Sequence, residues 1–332
     1  MLSLHCFILG NRIMWGMENS SLQEKTQQNR ALQQDIQSFA GKIEQFLFEV
    51  NQLILDKPQQ TKLALTCLLA GGHVLFEDLP GLGKTTLASA LARLAGLHFQ
   101  RIQFTNDMLA SDVIGINIFN QKEHAFEFKQ GPVFTQILLA DEINRCSPKT
   151  QSALLEAMEE GAVTVEGIHY ELPQPFWVLA TQNPLFQSGT YALPESQLDR
   201  FLMRLSLGYP SRQAEKLLLQ QSSRYVLIHQ LTGVFNQADI LHLRELAKQV
   251  FLSEAVLNYI LDLAAETRKQ RHGLSTRAVL ALKAAAQAHA LVEGRSFVMT
   301  DDVQSVFVAV VAHRLSLGEA EARLLLQSVD VL

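Results

Sequence analysis

The chain has 332 residues, 48% of them apolar, which is enough for roughly two domains with cores of their own. Its 28 basic and 33 acidic side chains leave a formal net charge of -5 with no basic block, which speaks against nucleic acid as the default partner. Cys6, Cys67 and Cys146 are odd in number and far apart, so neither a disulfide framework nor a zinc site is indicated, and a reducing cytosol is the expected setting.

Residues Met1 to Gly16 are apolar but interrupted by His5, Asn11 and Arg12, with no charged stretch ahead of them, so they do not read as a signal peptide. Met17 opens a polar, Gln-rich stretch more like an ordinary N-terminus, an alternative start of translation. Residues 1–30 are expected to be a poorly ordered extension. Ser21 and Glu24 have capping-box spacing. Ile36, Phe39, Ile43, Phe46, Val50 and Leu53 then follow the 3–4 spacing of one long amphipathic helix, with Gly41 as its weak point at about 1 kcal/mol relative to Ala.

From His73 to Thr86 an apolar strand leads into a glycine-bearing turn and then into Lys-Thr at the opening of a helix. Gly81 and Gly83 leave room for backbone amides to close around an anion, and the helix adds its positive end. Pro80, Gly81, Leu82, Gly83, Lys84, Thr85 and Thr86 are therefore the expected phosphate contacts, with Lys84 reaching the outer phosphates and the Thr85 hydroxyl holding Mg²⁺. Asp78 stands where the strict phosphate-loop pattern has glycine. Its carboxylate would repel phosphate, so it is expected to point away, in a turn conformation that Asp tolerates.

Gln136 to Ala140 is an uncharged run that ends in Asp141 and Glu142. An unbroken apolar run is the pattern of a buried parallel strand, whose C-terminal end is where open α/β sheets bind ligands. Asp141 is placed to support Mg²⁺, and Glu142 to polarise a water toward the γ-phosphate. A third strand, Phe176 to Thr181, delivers Asn183 to its end. An Asn before Pro is by itself a turn residue, so its contact with the same water or phosphate leans on the other two strands. Val163 to Tyr170 alternates around Glu166-Gly167 and predicts a hairpin. Arg200 and Arg204, four apart, are expected on one face of a short amphipathic helix.

Gly208-Tyr209-Pro210-Ser211 marks a linker, and the remainder reads as helices: Leu241, Leu243, Leu246 and Val250, then Val256, Tyr259, Ile260 and Leu263, then the Ala-rich run from Ala278 to Leu291. Ser316 and Glu319 have the spacing of a last cap. The apolar run Val306–Ala312 is far short of the roughly 20 residues that span a bilayer and reads as a buried helix, so no membrane span is expected. The histidines are expected to be core or surface residues.

These motifs, in this order, resemble the MoxR family of AAA+ ATPases. The resemblance rests on Asp78 to Thr85 as Walker A, Leu139 to Arg145, Gln151 to Glu160, Ala180 to Pro184 and Leu193 to Phe201, with Gln103 to Thr105, Ser111 to Gly115 and Gly131 to Phe134 between them. It runs from about Ile36 to about Ala312. It implies an α/β fold: a three-layer αβα P-loop core with a parallel sheet, here residues 31–208, followed by an α-helical lid, here residues 209–332. It implies Asn183 as sensor 1, Arg200 as an arginine finger offered to a neighbouring subunit, and Arg277 as the sensor 2 of the lid, although Thr276 replaces the proline common in that motif.

What the resemblance implies of function is a Mg²⁺-dependent ATPase, a homo-oligomeric ring, expected to be a hexamer, that remodels or matures client proteins, often ones with a von Willebrand factor A domain or a metal cofactor. No task inside its own chain is evident for Arg200. Arg204 is as well explained by packing as by a second contact to the neighbour. A magnesium-chelatase-like subunit or DNA-remodelling motor, and a nucleotide-gated scaffold with little turnover, are the alternatives. Glu142 argues against the scaffold, and the absence of an Asn-Lys-x-Asp motif against a GTPase.

Overall fold

The computed structural model describes residues 2–183, 189–220, 227–228, 230–269 and 273–330, with side chains in the first helix described at residue 27 and from residue 29 on. Cys6, Pro184 and the side chains of Ser21 and Glu24 lie outside the described set. Helix α1 runs Leu2–Leu53, through the position where a start was expected at Ser21. Its 3–4 stripe is the buried face: Leu32, Ile36, Ile43, Phe46, Val50 and Leu53 are all buried, Phe39 partly, while Gly41 faces open space.

The α/β region continues with α2 (Pro58–Leu69), β1 (Val74–Glu77), α3 (Lys84–Leu94), β2 (Phe99–Gln103), α4 (Ala110–Ile114), β3 (Gly115–Asn120), β4 (Ala125–Gln130) and β5 (Ile137–Asp141). It ends with α5 (Pro148–Glu160), β6 (Ala162–Val165), β7 (Ile168–Glu171), β8 (Trp177–Gln182), α6 (Glu195–Leu198) and β9 (Met203–Leu205). Five strands form one parallel sheet in the order β2-β5-β8-β1-β9. Alternate residues of each strand enter different cores. Val74, Phe76, Ile137, Leu139, Trp177 and Leu179 pack with α1, α2 and α3, whereas Leu75, Leu138, Ala140, Val178 and Ala180 pack with α4 and α5. Burial on both faces is why these strands read as continuous apolar runs, and it makes the region the expected three-layer αβα sandwich.

The hairpin around Glu166-Gly167 is β6–β7, with both turn residues at positive φ (51° and 82°). A second hairpin, β3–β4, was not foreseen from the sequence. After the Gly208–Ser211 linker come α7 (Arg212–Gln220), α8 (Gln237–Gln249), α9 (Glu254–Arg268), α10 (Thr276–Val292), α11 (Thr300–Val311) and α12 (Glu319–Gln327). Ser275 caps α10 by accepting from the Ala278 amide at 3.1 Å, so Thr276 occupies the first helical position, the one that suits the proline it replaces. The buried stripe of α8 begins at Ile240 rather than Leu241. The last cap also differs from expectation: α12 starts at Glu319 after Gly318, whose amide donates to Glu321 at 2.9 Å, while Ser316 sits at φ 53° and turns to Glu195.

Lid helices α8 to α12 share one apolar cluster with α1, α2, α3 and one face of the sheet. Among the described residues no helix is long and apolar enough to cross a membrane, and Val306–Ala312 is buried. His73 and His313 are buried histidines whose pKa burial drives down, His73 to about 4. His73 accepts from the Val178 amide and contacts the Met158 carbonyl, which joins β1, β8 and α5.

Arg314 fixes the lid to the sheet. Its side chain, 5% exposed, donates to the Asp199 carboxylate (2.7 Å) and to the carbonyls of Phe201 (2.8 Å), Leu202 (3.0 Å) and Val310. These bonds set the turn that carries Arg200. Arg314→Met would leave a half-buried carboxylate and several carbonyls without this donor, and the expected loss is about 3 kcal/mol, read as a lower urea midpoint with unchanged slope.

Candidate active site

The ends of β1, β5 and β8 open on one cleft of about 390 Å³, lined among others by Asp78, Pro80, Gly81, Gly83, Lys84, Thr85, Thr86, Asp141, Glu142 and Asn183. Parallel pairing of β8 with both β1 and β5 forces this convergence, since three neighbouring strands must end on the same edge. Of the residues expected to hold phosphate, only Leu82 does not line the cleft. The turn itself needs its glycines: Gly81 and Gly83 have φ of 84° and 89°, in the region that excludes most side chains. Gly83 is the N-cap of α3, so the helix's first amides point at the cleft.

Lys84 curls over the turn and donates to the carbonyls of Asp78 (2.9 Å) and Leu79 (2.8 Å). Burial lowers its pKa, and the carboxylates of Asp78, Asp141 and Glu142 oppose that shift. The Asp78 carboxylate is turned toward the linker, as its charge required. It accepts from the Ser206 hydroxyl (2.7 Å), the Leu207 amide (2.7 Å) and the Gly208 amide (3.0 Å), fastening the start of the phosphate loop to the linker.

Asp141 and Glu142 are organised by Thr181, to which the sequence reading gave no role. The Thr181 hydroxyl donates to Asp141 Oδ1 (2.6 Å) and accepts from the Glu142 amide (2.8 Å). Glu142 has φ 57°, a left-handed conformation that costs about 1–2 kcal/mol in a side chain other than glycine. It starts the short 3₁₀ turn Ile143–Arg145 and puts the carboxylate against Gln103 Nε2 (3.1 Å) and Arg145 Nε (3.0 Å). Gln151, fully buried, donates to the carbonyls of Ile143 and Cys146 and so locks that turn. Asn144 donates to the Asn183 carbonyl at 3.3 Å, which ties the β8 end to the same turn.

Arg101 and Gln103 were also missed as functional candidates. They lie two apart on the edge strand β2, hence on one face, and in register with the acid-bearing end of β5. Arg101 donates to Asp141 Oδ2 at 2.6 Å and to Gln103 at 3.0 Å. Polar residues alternating with Ile102 beside a predicted acidic strand end were the available signal. The Asp141 carboxylate and Thr85 hydroxyl are hard oxygen donors beside a phosphate loop, which fits Mg²⁺. Among the described residues no group of three His, Cys, Asp or Glu is gathered as a metal site, so a cation here would rely on nucleotide phosphates to complete its shell.

Arg200, Arg204 and Arg277 do not line this cleft. Arg204 is not on a helix with Arg200: it lies in β9, where it donates to Glu77 (2.9 Å) and to the Leu317 carbonyl of the lid (2.9 Å). Glu77 also accepts from Gln182 at 2.8 Å. These bonds give Arg204 the packing role. Arg200 and Arg277 meet instead at Glu159, in a second depression of about 250 Å³ that Asp199 and Arg314 also line. Glu159 Oε2 pairs with Arg200 at 3.1 Å, and Oε1 pairs with Arg277. Arg200 therefore does have a partner within its own chain, contrary to expectation.

Asp78→Ala would leave the Leu207 and Gly208 amides and the Ser206 hydroxyl without their acceptor. A loss of about 1–3 kcal/mol is expected, visible in thermal unfolding, together with weaker stabilisation by added nucleotide than the natural chain shows.

Residues 73–203 match the ATPase family associated with various cellular activities (AAA), and residues 264–330 match the AAA lid domain. Uncharacterized protein YeaC of Bacillus subtilis is 45% identical over 86% of this chain and 90% of its own length. Chaperone MoxR1 of Mycobacterium tuberculosis is 40% identical over 83% of this chain and 76% of its own, and protein MoxR of Paracoccus denitrificans is 29% identical over 82% and 87%. A crystal structure from Cytophaga hutchinsonii superimposes with a TM-score of 0.81 at 36% identity, covering 95% of this chain and 99% of that one. A full-length MCM homolog from Methanopyrus kandleri shares the fold alone, with a TM-score of 0.57 at 17% identity over 86% of this chain and 61% of that one. On the phosphate loop, the paired acids and these relatives, the chain belongs to the MoxR family of AAA+ ATPases.

Proposed function

We propose that the protein is a Mg²⁺-dependent ATPase that works as a ring, a hexamer, and uses ATP turnover to remodel or mature client proteins in a reducing cytosol. The observation that carries the catalytic part is the single cleft shared by Lys84, Thr85, Asp141, Glu142 and Asn183. The amides of residues 81–86 and Lys84 bind the triphosphate. Thr85 and Asp141 would hold Mg²⁺, which when bound neutralises charge on the phosphates. Glu142 accepts a proton from water and orients it, and Asn183 helps to position that water.

The charge that develops on the γ-phosphate needs cations, and among the described residues lining the cleft these are Lys84 and Arg101. Arg200 and Arg277 sit together, elsewhere on the same chain, which supports assigning both to a neighbour's nucleotide in the ring. Arg277 then reports the γ-phosphate across the subunit boundary rather than within its own.

Client binding is supported by the two hairpins. Phe128 of β4 stacks on Tyr170 of β7 at 4.0 Å and Asn117 donates to Glu166 at 2.7 Å, so the hairpins form one unit. That unit exposes Ile116, Ile118, Phe119, Phe126 and Ile168. By strand alternation Phe119 and Phe126 share one face of the β3–β4 hairpin and Ile116 and Ile118 the other, and exposed large apolar side chains of this kind favour protein binding. The name of the Mycobacterium tuberculosis relative supports the chaperone reading, and family resemblance points to clients with a von Willebrand factor A domain.

Glu142→Gln is expected to bind ATP but hydrolyse it at least about a hundredfold more slowly, and Lys84→Ala to lose binding, in nucleotide titrations and phosphate-release assays. Arg200→Ala is expected to bind ATP and be inactive, yet to regain partial activity when mixed with Lys84→Ala, because mixed rings contain interfaces with both parts intact. A mixture that stays inactive although mixed rings form would overturn the neighbour assignment.

A further inference from the structure

Glu159 has no part in the reading above, yet its carboxylate is where Arg200 and Arg277 converge. Each oxygen takes one guanidinium, Oε2 from Arg200 at 3.1 Å and Oε1 from Arg277. The two arginines come from different bodies: Arg200 from the turn between α6 and β9, Arg277 from the first turn of lid helix α10. Each guanidinium meets its oxygen through one nitrogen, and two arginines on separate oxygens of one anion is also how arginines converge on a phosphate.

The placement of these charges is unfavourable without that clamp. Glu159 lies in the last turn of α5, a turn without a basic residue, so its charge opposes the helix dipole. Arg277 lies in the first turn of α10, which has no acidic residue, and it too opposes its dipole. Each charge is relieved by the other. All three side chains are also partly exposed, at 37% for Glu159, 29% for Arg200 and 54% for Arg277, so the ion pairs are weak and reversible. The geometry is therefore that of a clamp that closes on a modest ligand and can exchange it for a more highly charged one.

We propose that Glu159 is a positioning residue that acts as an internal phosphate mimic: it holds Arg200 and Arg277 together in the separate subunit and gives them up to the neighbour's γ-phosphate on assembly. This rests on the assignment of both arginines to the neighbouring site. The exchange breaks no covalent bond. It keeps the two guanidiniums at a common point, where their mutual repulsion would otherwise separate them. It also makes their engagement conditional on an anion that outcompetes a carboxylate, so that ADP or an empty neighbour leaves the arginines on Glu159. Subunit association and the nucleotide state of the neighbour are coupled through this competition.

The test measures ATPase rate against subunit concentration at saturating ATP, for the natural chain, Glu159→Gln, Glu159→Asp and Arg200→Ala, beside nucleotide affinity at concentrations too low for assembly. Removing the internal competitor should lower the subunit concentration for half-maximal activity about threefold to tenfold in Glu159→Gln, with nucleotide affinity of the separate subunit unchanged. Glu159→Asp, one methylene shorter and unable to reach both guanidiniums, should fall between. A merely structural Glu159 would not move this midpoint downward. If the Glu159→Gln midpoint is unchanged or higher while Arg200→Ala is inactive, the mimic is overturned and the neighbour assignment stands. If Arg200→Ala hydrolyses ATP at the natural rate, the neighbour assignment is overturned and the mimic with it.

Discussion

Because β8 lies between β1 and β5 and runs parallel to both, the phosphate loop, the paired acids and Asn183 have to emerge on one edge of the sheet. That constraint comes from backbone register, before any side chain is considered. The Thr181 hydroxyl then converts register into chemistry, since it fixes Asp141 with one bond and the Glu142 amide with another. With the amide held, Glu142 takes a left-handed conformation that a glutamate would not adopt unaided. Its strain and its partners, Gln103 and Arg145, aim the carboxylate into the cleft.

The same economy governs the link between sheet and lid. Asp78 would harm phosphate binding if it faced the cleft. Turned the other way, it caps the backbone at Leu207 and Gly208, where the chain leaves β9 for the lid. A rotation of the lid about that linker must therefore act on the residue that begins the phosphate loop. Arg204, between Glu77 and the Leu317 carbonyl, and Arg314, on the turn at residues 199–202, hold the same two bodies together at other points. The lid also shares its apolar cluster with α1, α2 and α3, so it packs as an extension of one sheet face.

Most of the sheet and the nucleotide cleft were legible in the sequence because they depend on local pattern. Apolar runs that end in Gly-Leu-Gly-Lys-Thr, Asp-Glu or Gln-Asn declare a buried strand and what lies at its end. The long stripe from Ile36 to Leu53 and the Glu166-Gly167 turn are also periodic or local signals, and both stand as expected. The contacts that escaped are non-local. Thr181 and Asp141 are 40 residues apart, as are Arg101 and Asp141, and Arg204 and Glu77 are 127 apart. Arg204 was misplaced because spacing of four suggests one helix face, whereas α6 ends at Leu198 and the chain has entered a strand by Met203. The cap at Ser316 failed for a similar reason: Ser-x-x-Glu fits a capping box, but Gly318 with Glu321 offers the same amide bond two residues later.

The meeting of Arg200 and Arg277 at Glu159 belongs to the same class of fact, 118 residues separating Glu159 from Arg277. If Arg200 and Arg277 serve a neighbour's nucleotide as proposed, it alters how an arginine finger should be thought of in this chain. A finger is usually described by what it does at the neighbour's phosphate, as though its side chain waited in water beforehand. A guanidinium in water would lose hydration and rotamer freedom on engagement, and two of them would have to be brought together against their repulsion. Here both costs are met inside the folded subunit by a carboxylate of opposite sign, and the remaining barrier to engagement is the exchange of one anion for another. Glu159 lies on α5 of the αβα core, Arg200 on the turn that Arg314 secures, and Arg277 on the lid, so movement of the lid relative to the sheet would change the clamp directly. On the proposed assignment, the lid position, the readiness of the arginines and the charge of the neighbour's nucleotide all act on the two ion pairs of one carboxylate, Glu159.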